Sequence, residues 1–204
     1  MADLVSAARE LELKFVLFSF TDLFGIQRAK LVPRSALEAM AADGAGFAGF
    51  AAWIDLSPAD GDVMAIADPA SLVPLPWQPD VGWVATELLL DGQPMDQCPR
   101  RLLRSQQARA AALGLELRSG VEAEFFLLDP AGEAIADGAD HQVKPCYDQL
   151  ALMRNYPLIG PLLEAMDGLG WGPYQADHED ANGQFEVKDR KSTRLNSSHA
   201  NISY

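Results

Sequence analysis

The chain has 204 residues and a formal net charge of −13, from 29 acidic and 16 basic side chains. This acidic excess argues against nucleic acid and anionic membranes as partners, because both are negatively charged. The sequence has no apolar run of the roughly 18 residues that a membrane span needs, and no signal-peptide pattern at its start. We therefore predict a cytoplasmic protein with no membrane partner.

The first part of the chain alternates short helical and extended patterns. Residues 3–13 predict an amphipathic helix, because their apolar positions recur at helical spacing. Residues 14–21 and 27–32 predict two strands of a hairpin, joined by the turn at residues 22–25. Residues 33–40 predict a further helix, which begins after a proline.

The segment Gly-Ala-Gly-Phe-Ala-Gly at residues 44–49 formally matches G-x-G-x-x-G. A dinucleotide site needs a strand before this motif and a helix after it, whereas here a helix precedes it. We interpret the segment as a flexible connection. Beyond it, we expect strands over residues 63–67 and 81–90, and a helix over residues 99–113.

Residues 120–129, Gly-Val-Glu-Ala-Glu-Phe-Phe-Leu-Leu-Asp, predict a strand with two carboxylates on one face. Residues i and i+2 of a strand point the same way, about 7 Å apart, so Glu122 and Glu124 should project together. The apolar residues that follow favour a buried strand, where paired carboxylates need a cation such as a divalent metal. The alternative is an exposed strand whose solvent face carries two acids.

A second acid-rich segment, residues 171–187, predicts a hairpin. Its central Asn-Gly pair is a strong turn signal and would bring Glu179 and Glu186 close together. In such a strand His178 would face away from Glu179, so we favour a structural role for it over a ligand role. Between the two acidic segments we expect a polar loop over residues 130–141 and a helix over residues 149–169 that its prolines divide or kink.

These two segments, in this order, resemble the glutamine synthetase family, and most closely its bacterial type III branch. The family carries a Glu-x-Glu strand and then a His-Glu…Gly-Gln-x-Glu segment, which match residues 122–124 and 178–186 here. The resemblance implies an α+β fold. Residues 1–96 would form a small N-terminal β-grasp domain, and residues 97–187 the truncated start of the catalytic domain, a curved antiparallel sheet with helices.

The resemblance also implies a reaction. Family members are ATP-dependent ligases that form an amide at the side-chain carboxylate of glutamate through a γ-glutamyl phosphate, with ammonia as the nucleophile. They assemble as homo-oligomeric rings with active sites between neighbouring subunits. Two Mg²⁺ or Mn²⁺ ions neutralise charge during phosphoryl transfer. By motif match, one metal would be held by Glu124, Glu179 and Glu186, and the metal that bridges the ATP phosphates would receive Glu122.

The nucleophile stays open between ammonia and methylamine or another small amine. In many family members a Phe-Asp-Gly segment supplies an ammonium-binding aspartate, and here Ala48 stands at that position between Phe47 and Gly49. An apolar methyl group suits an alkylamine better than ammonium. The alternative is that Asp55 or Asp60 supplies the carboxylate from a shifted loop.

Two further classes remain alternatives. A non-catalytic relative would have no need for clustered buried acids. A metal-dependent hydrolase usually adds histidine ligands, and here only His178 is placed to serve.

From residue 188 the sequence changes character. Residues 188–204 carry four of the sixteen basic residues and no regular apolar pattern. We interpret them as a foreign or artefactual tail that packs against nothing, on a truncated chain that is inactive alone; a natural basic tail is the alternative.

Overall fold

A computed structural model describes residues 3–116 and 122–189 of the chain. The chain divides into two compact units, residues 1–117 and 118–204, which are described separately below. This division lies beyond the domain boundary that the sequence predicts at residue 96. Both units mix helices with strands. Among the described residues, no helix is long and apolar enough to cross a membrane.

The first unit is built on a mixed sheet of seven described strands. They are β1 (Phe15–Thr21), β2 (Gln27–Pro33), β3 (Ala45–Phe47), β4 (Val63–Ala67), β5 (Val73–Leu75), β6 (Gln78–Leu90) and β7 (Gln93–Pro94). The strand order is β2-β1-β6-β4-β3, and β5 and β7 each pair with β6. β1 and β2 form the predicted hairpin, β1 runs parallel to β6, and β6 runs antiparallel to β4.

Two short helices, α1 (Leu4–Glu10) and α2 (Leu37–Asp43), pack against this sheet. Their apolar side chains join those of β1 and β6 in one buried cluster, which removes a large apolar area from water. The buried members of this cluster are Leu4, Ala8, Leu13, Val16, Phe18, Val32, Leu37, Ala45 and Val84.

The glycine-rich segment after α2 is a structured part of the sheet, so the prediction of a flexible connection is wrong. Its middle forms β3, which pairs with β4. Gly44 ends α2 with φ +84°, and a Cβ there would lie 2.6 Å from Ile66 Cδ1. A Cβ on Gly49 would lie 2.3 Å from Leu56 Cδ1. The positive φ favours glycine at residue 44, and the Ile66 and Leu56 side chains leave little space for a Cβ at either glycine.

The last helix of the first unit, α3 (Pro99–Ala112), begins at the predicted proline. Asp68, which follows β4, accepts hydrogen bonds from Arg100 and Arg104 of this helix. Burial raises the pKa of Asp68, but these arginines and the Ala70 N–H outweigh it and hold the pKa below its usual value. The ion pairs therefore tie α3 to the first sheet.

The second unit contains β8 (Glu122–Phe126), α4 (Gln149–Arg154), α5 (Tyr156–Gly168), β9 (Pro173–His178) and β10 (Gln184–Asp189). Within residues 122–189 the strands form an antiparallel sheet in the order β8-β10-β9. Both predicted acidic strand segments are confirmed as sheet neighbours. The predicted long helix divides at Asn155, two residues before Pro157 in the first turn of α5.

Two expectations about this unit need correction. β8 is not buried: Glu124 is exposed and Phe126 is 52% exposed, because β8 is the edge of the sheet among the described residues. Residues 188 and 189 also do not lie free of the fold. β10 continues through them, so the prediction that the tail packs against nothing is wrong for these two residues. Residues 190–204 lie outside the described residues.

Candidate metal centre

Three of the four predicted glutamates meet on one face of the second sheet. Glu186 on the central strand β10 lies opposite Glu124 on β8 and opposite Asp177 on β9. Glu179 follows directly after β9. Among the described residues, Glu124, Glu179 and Glu186 each place a carboxylate oxygen within 4.8 Å of the other two. The Asn-Gly turn and the strand alternation therefore produce the predicted cluster.

The three carboxylates differ in how they are held. Glu186 is 1% exposed, whereas Glu124 is exposed and receives a hydrogen bond of 2.7 Å from the Gln184 side-chain amide. The Glu179 backbone N–H donates to the Gln184 carbonyl at 2.9 Å, and its carboxylate accepts from the Asp180 N–H at 3.1 Å. The cluster thus runs from a buried anchor on β10 to an exposed edge on β8.

Burial makes the charge on Glu186 costly. Desolvation raises the pKa of Glu186, and a contact with Glu179 adds to this rise, while the Lys188 ammonium opposes it. Lys188 Nζ lies 2.8 Å from Glu186 Oε2. The other oxygen, Oε1, is buried and has no hydrogen-bond partner among the described residues. The site therefore retains one carboxylate oxygen that only a cation or a donor could satisfy.

Glu122 lies on the same face but outside the three-carboxylate cluster. It pairs across the ladder with Lys188, two residues before Glu124, and it faces the Glu186 side chain. Three of the four glutamates that the resemblance assigns to the metals lie within this cluster. Glu122 occupies the adjacent position along the same strand.

A hard divalent cation fits this donor set. Mg²⁺ and Mn²⁺ prefer carboxylate oxygens, and three such oxygens from different chain segments lie within 4.8 Å of one another. The unpartnered buried oxygen of Glu186 is the second observation in favour, since a bound cation would satisfy it.

The opposite face of the sheet carries His178, as strand alternation predicts. His178 is fully buried and packs edge-on against the Phe185 ring, with centroids 4.9 Å apart. Its Nε2 contacts Asp140 Oδ2 at 2.7 Å. Sequence reasoning did not find Asp140, which lies in the loop expected to be merely polar.

Two more residues of the acidic face were also missed. Asp177 precedes Glu179 by two positions and Lys188 follows Glu186 by two, so the period of a strand places both on the glutamate face. Strand alternation was therefore a sufficient signal for them. Lys188 was missed because it was assigned to the foreign tail.

We expect Asp177→Asn to raise the melting temperature at pH 7 by a few degrees. Burial raises the pKa of Asp177, the Glu122 charge adds to this, and Lys188 opposes it. One Asp177 oxygen also lacks a hydrogen-bond partner among the described residues. A raised folded-state pKa means that stability falls as the pH rises above the ordinary aspartate value of about 3.9. A neutral amide removes this cost.

Thermal unfolding followed by circular dichroism would measure this effect. The gain should shrink as the pH falls below about 4, because the carboxyl of the unfolded wild-type chain then also becomes protonated. Asp180→Asn is the matched control, because it removes the same charge from an exposed position in the same hairpin. Equal melting temperatures for the two variants at pH 7 would contradict the assigned burial cost.

Comparisons with known proteins agree with this geometry. The chain matches the family profile described as glutamine synthetase, catalytic domain, over residues 96–202. It is 52% identical over 185 residues to a glutamine synthetase of Rhizobium leguminosarum bv. phaseoli, covering 91% of this chain and 42% of that protein. It is 38% identical over 183 residues to a glutamate–methylamine ligase of Methyloversatilis universalis, covering 88% and 41%.

Solved structures give the same result. A structure named "GmaS/ADP complex" matches with a TM-score of 0.90 and 58% identity, covering 93% of this chain and 44% of that one. A structure named "novel glutamine synthase homolog" matches with a TM-score of 0.70 and 28% identity, covering 87% and 43%. The chain spans less than half the length of the curated relatives it matches. With the family profile matched over more than half of its residues, the chain belongs to the glutamine synthetase family.

Proposed function

We propose that the full-length protein is an ATP-dependent ligase that joins an amine to the side-chain carboxylate of glutamate. A glutamate oxygen attacks the γ-phosphorus of ATP and releases ADP, which gives a γ-glutamyl phosphate. The amine nitrogen then attacks the carbonyl carbon, and inorganic phosphate leaves. The observation that carries this proposal is the convergence of Glu124, Glu179 and Glu186 at the motif positions of the family.

In this proposal the acidic face binds Mg²⁺ or Mn²⁺. Glu124, Glu179 and Glu186 hold the metal nearer glutamate, and Glu122 contributes to the one at the ATP phosphates. Such ions supply charge neutralisation for the transferred phosphoryl group. The protein contributes the spacing: pairing of β8 with β10 places Glu124 opposite Glu186, and the Gln184 amide fixes the Glu124 carboxylate.

We assign the N-terminal 96 residues to a β-grasp domain and residues 97–187 to the first part of the catalytic domain. The order β2-β1-β6-β4-β3, with parallel β1 and β6 between antiparallel neighbours, supports the β-grasp assignment. In the full-length protein we propose a cytoplasmic homo-oligomeric ring in which neighbouring subunits complete the sites.

The amine is either ammonia or a small alkylamine. Relatives named glutamine synthetase support ammonia, and the relative named glutamate–methylamine ligase supports methylamine. Ala48, at the motif position where many family members carry an ammonium-binding aspartate, favours methylamine in this chain.

The test is phosphate release from ATP by a full-length protein that includes the rest of the catalytic domain. We expect release to require glutamate, an amine and Mg²⁺ or Mn²⁺. Glu124→Gln should raise the metal concentration needed for half-maximal rate and lower kcat/KM for ATP. The exposed Glu133→Gln, which removes the same charge from the same unit, should change neither.

Two outcomes would overturn the proposal. Phosphate release that does not depend on glutamate would identify a hydrolase instead. A Glu124→Gln variant that behaves like Glu133→Gln would remove the acidic face from the reaction.

A further inference from the structure

We propose that Asp140 is a positioning residue that fixes Glu179 in the metal site by holding both ends of the loop at residues 179–183. This inference rests on the proposed metal-binding role of Glu179. The Asp140 side chain lies on the face of the sheet opposite the glutamates and contacts groups 38 to 43 positions away in sequence, none of which is a metal-site carboxylate.

Glu179 is the site carboxylate that most needs external support. Glu124 and Glu186 lie inside paired strands, so the ladder of β8 and β10 fixes their backbone positions. Glu179 lies one residue beyond the end of β9, where the chain enters the turn. Its backbone keeps one ladder-like hydrogen bond, to the Gln184 carbonyl. Something other than strand pairing must therefore set the direction of its side chain.

Asp140 holds this loop at both ends. It is 1% exposed, and its Oδ2 contacts His178 Nε2 at 2.7 Å and accepts from the Gly183 N–H at 2.5 Å. Its Oδ1 accepts from the Asn182 side-chain amide at 2.8 Å. His178 directly precedes the loop, and the other two partners are its last two residues. One carboxylate therefore joins the end of β9 to the start of β10.

The His178 ring links the Asp140 carboxylate to the backbone of Glu179. Its second ring nitrogen, Nδ1, lies 2.8 Å from the Glu179 carbonyl oxygen. Both ring nitrogens thus lie within hydrogen-bond distance of oxygen atoms, Asp140 Oδ2 and the Glu179 carbonyl oxygen. The chain of contacts runs from the Asp140 carboxylate through the imidazole to the Glu179 backbone.

The surroundings prevent this arrangement from relaxing. The His178 ring is fully buried against Phe185. Gly183 has φ +76°, and a Cβ there would lie 2.6 Å from Ile135 Cγ2. Burial raises the pKa of Asp140, but its hydrogen bonds from His178, Asn182 and Gly183 outweigh this and hold the pKa below its usual value. The carboxylate therefore stays ionised, and its donors stay ordered.

The experiment measures Mn²⁺ binding by the 204-residue chain with calorimetry, well below its melting temperature. Outer-shell partners of metal ligands typically change affinity about 10- to 100-fold when they are mutated. We expect Asp140→Asn to weaken Mn²⁺ binding by about tenfold. Asp137→Asn is the matched control, because it removes another carboxylate charge from the same loop. The Asp137 carboxylate pairs with Arg154 at 2.7 Å, and its loss should leave the Mn²⁺ affinity unchanged.

A double-mutant cycle separates positioning from general destabilisation. In a Glu179→Gln background, Asp140→Asn should cause almost no further loss of Mn²⁺ affinity, because the residue it acts through is already altered. In a Glu124→Gln background the full loss should remain. If Asp140→Asn does not fold, Asn182→Ala removes only the Oδ1 contact and should weaken binding by a smaller factor with the same pattern.

Two results would overturn the inference. An Asp140→Asn variant that binds Mn²⁺ as tightly as the wild type would show that the loop needs no such support. If Asp140→Asn lowers Mn²⁺ affinity as much in the Glu179→Gln background as in the wild type, Asp140 does not act through Glu179. A wild-type chain that binds no Mn²⁺ would instead contradict the metal site, and with it the proposed function.

Discussion

Lys188→Met is expected to strengthen Mn²⁺ binding by this chain about thirtyfold. The Lys188 ammonium lies 2.8 Å from Glu186 Oε2, on the carboxylate that would anchor the metal. Two like unit charges about 4 Å apart repel by roughly 4 kcal/mol at an effective dielectric constant of about 20. Because the lysine is partly exposed and can swing away, we expect about half of this, or about 2 kcal/mol.

The same variant should lose stability when metal is chelated. Glu186 is 1% exposed, and without Lys188 its charge is buried and unpaired, which is strongly destabilising. We therefore expect a lower melting temperature in EDTA and recovery on adding Mn²⁺, since a ligand of the folded state stabilises it. Lys144→Met, which removes an exposed ammonium from the same unit, is the control. Weaker or unchanged Mn²⁺ binding in Lys188→Met would contradict the claim that the Lys188 ammonium and the metal compete for the Glu186 carboxylate.

The acidic face therefore includes a cation of its own, the Lys188 ammonium, which pairs with Glu186. Hydrogen bonding to Glu186 raises the pKa of Lys188 above its usual range, with burial opposing and the charges of Asp177 and Glu122 adding to the rise. A metal ion and this ammonium satisfy the same need of a buried carboxylate. The residue at which the sequence changes character is thus also the residue that pairs with the buried carboxylate of the site.

Much of the candidate site follows from two local rules of sequence. Strand alternation places Glu122 and Glu124 on one face, and the Asn-Gly turn folds β9 onto β10, which brings Glu179 to Glu186. Both rules act over a few residues, so they need no knowledge of tertiary contacts. The same locality explains why the hairpin of β1 and β2 was predicted correctly.

The rest depends on contacts between distant segments. Asp140 reaches Gly183 across 43 positions, and its own loop has no periodicity that marks it as special. The glycines at residues 44 and 49 were ambiguous for a similar reason. The side chains that pack closely against them, Ile66 and Leu56, lie on other segments of the chain. The exposure of β8 likewise depends on its position at the edge of the described sheet, which its own sequence does not reveal.

The position of Ala48 makes it suitable for a test of amine specificity. It directly follows β3, is partly buried, and has extended dihedral angles, φ −67° and ψ 103°, that an aspartate adopts without strain. It precedes a short 3₁₀ helix and makes no side-chain capping bond. Asp60, the alternative carboxylate, already accepts from the Ser57 N–H and hydroxyl at 2.7 and 2.8 Å. These hydrogen bonds hold Asp60 in its own turn, and they therefore favour Ala48 over Asp60 as the residue that determines amine specificity.

Ala48→Asp, in a full-length protein that includes the rest of the catalytic domain, should shift the preference from methylamine to ammonia. The carboxylate fills the space that the methyl group of the amine would occupy, whose burial is worth about 0.8 kcal/mol. It also offers ammonium a charged hydrogen bond, worth about 1.5 kcal/mol or more. Together these effects, about 2.3 kcal/mol, predict a change of roughly fiftyfold in the ratio of the two kcat/KM values. Ala48→Asn has nearly the same size without the charge, so it should lose methylamine activity without gaining ammonia activity. A wild-type protein that clearly prefers ammonia would end the assignment of Ala48 as an alkylamine pocket, since the ammonium would then need no carboxylate at this position.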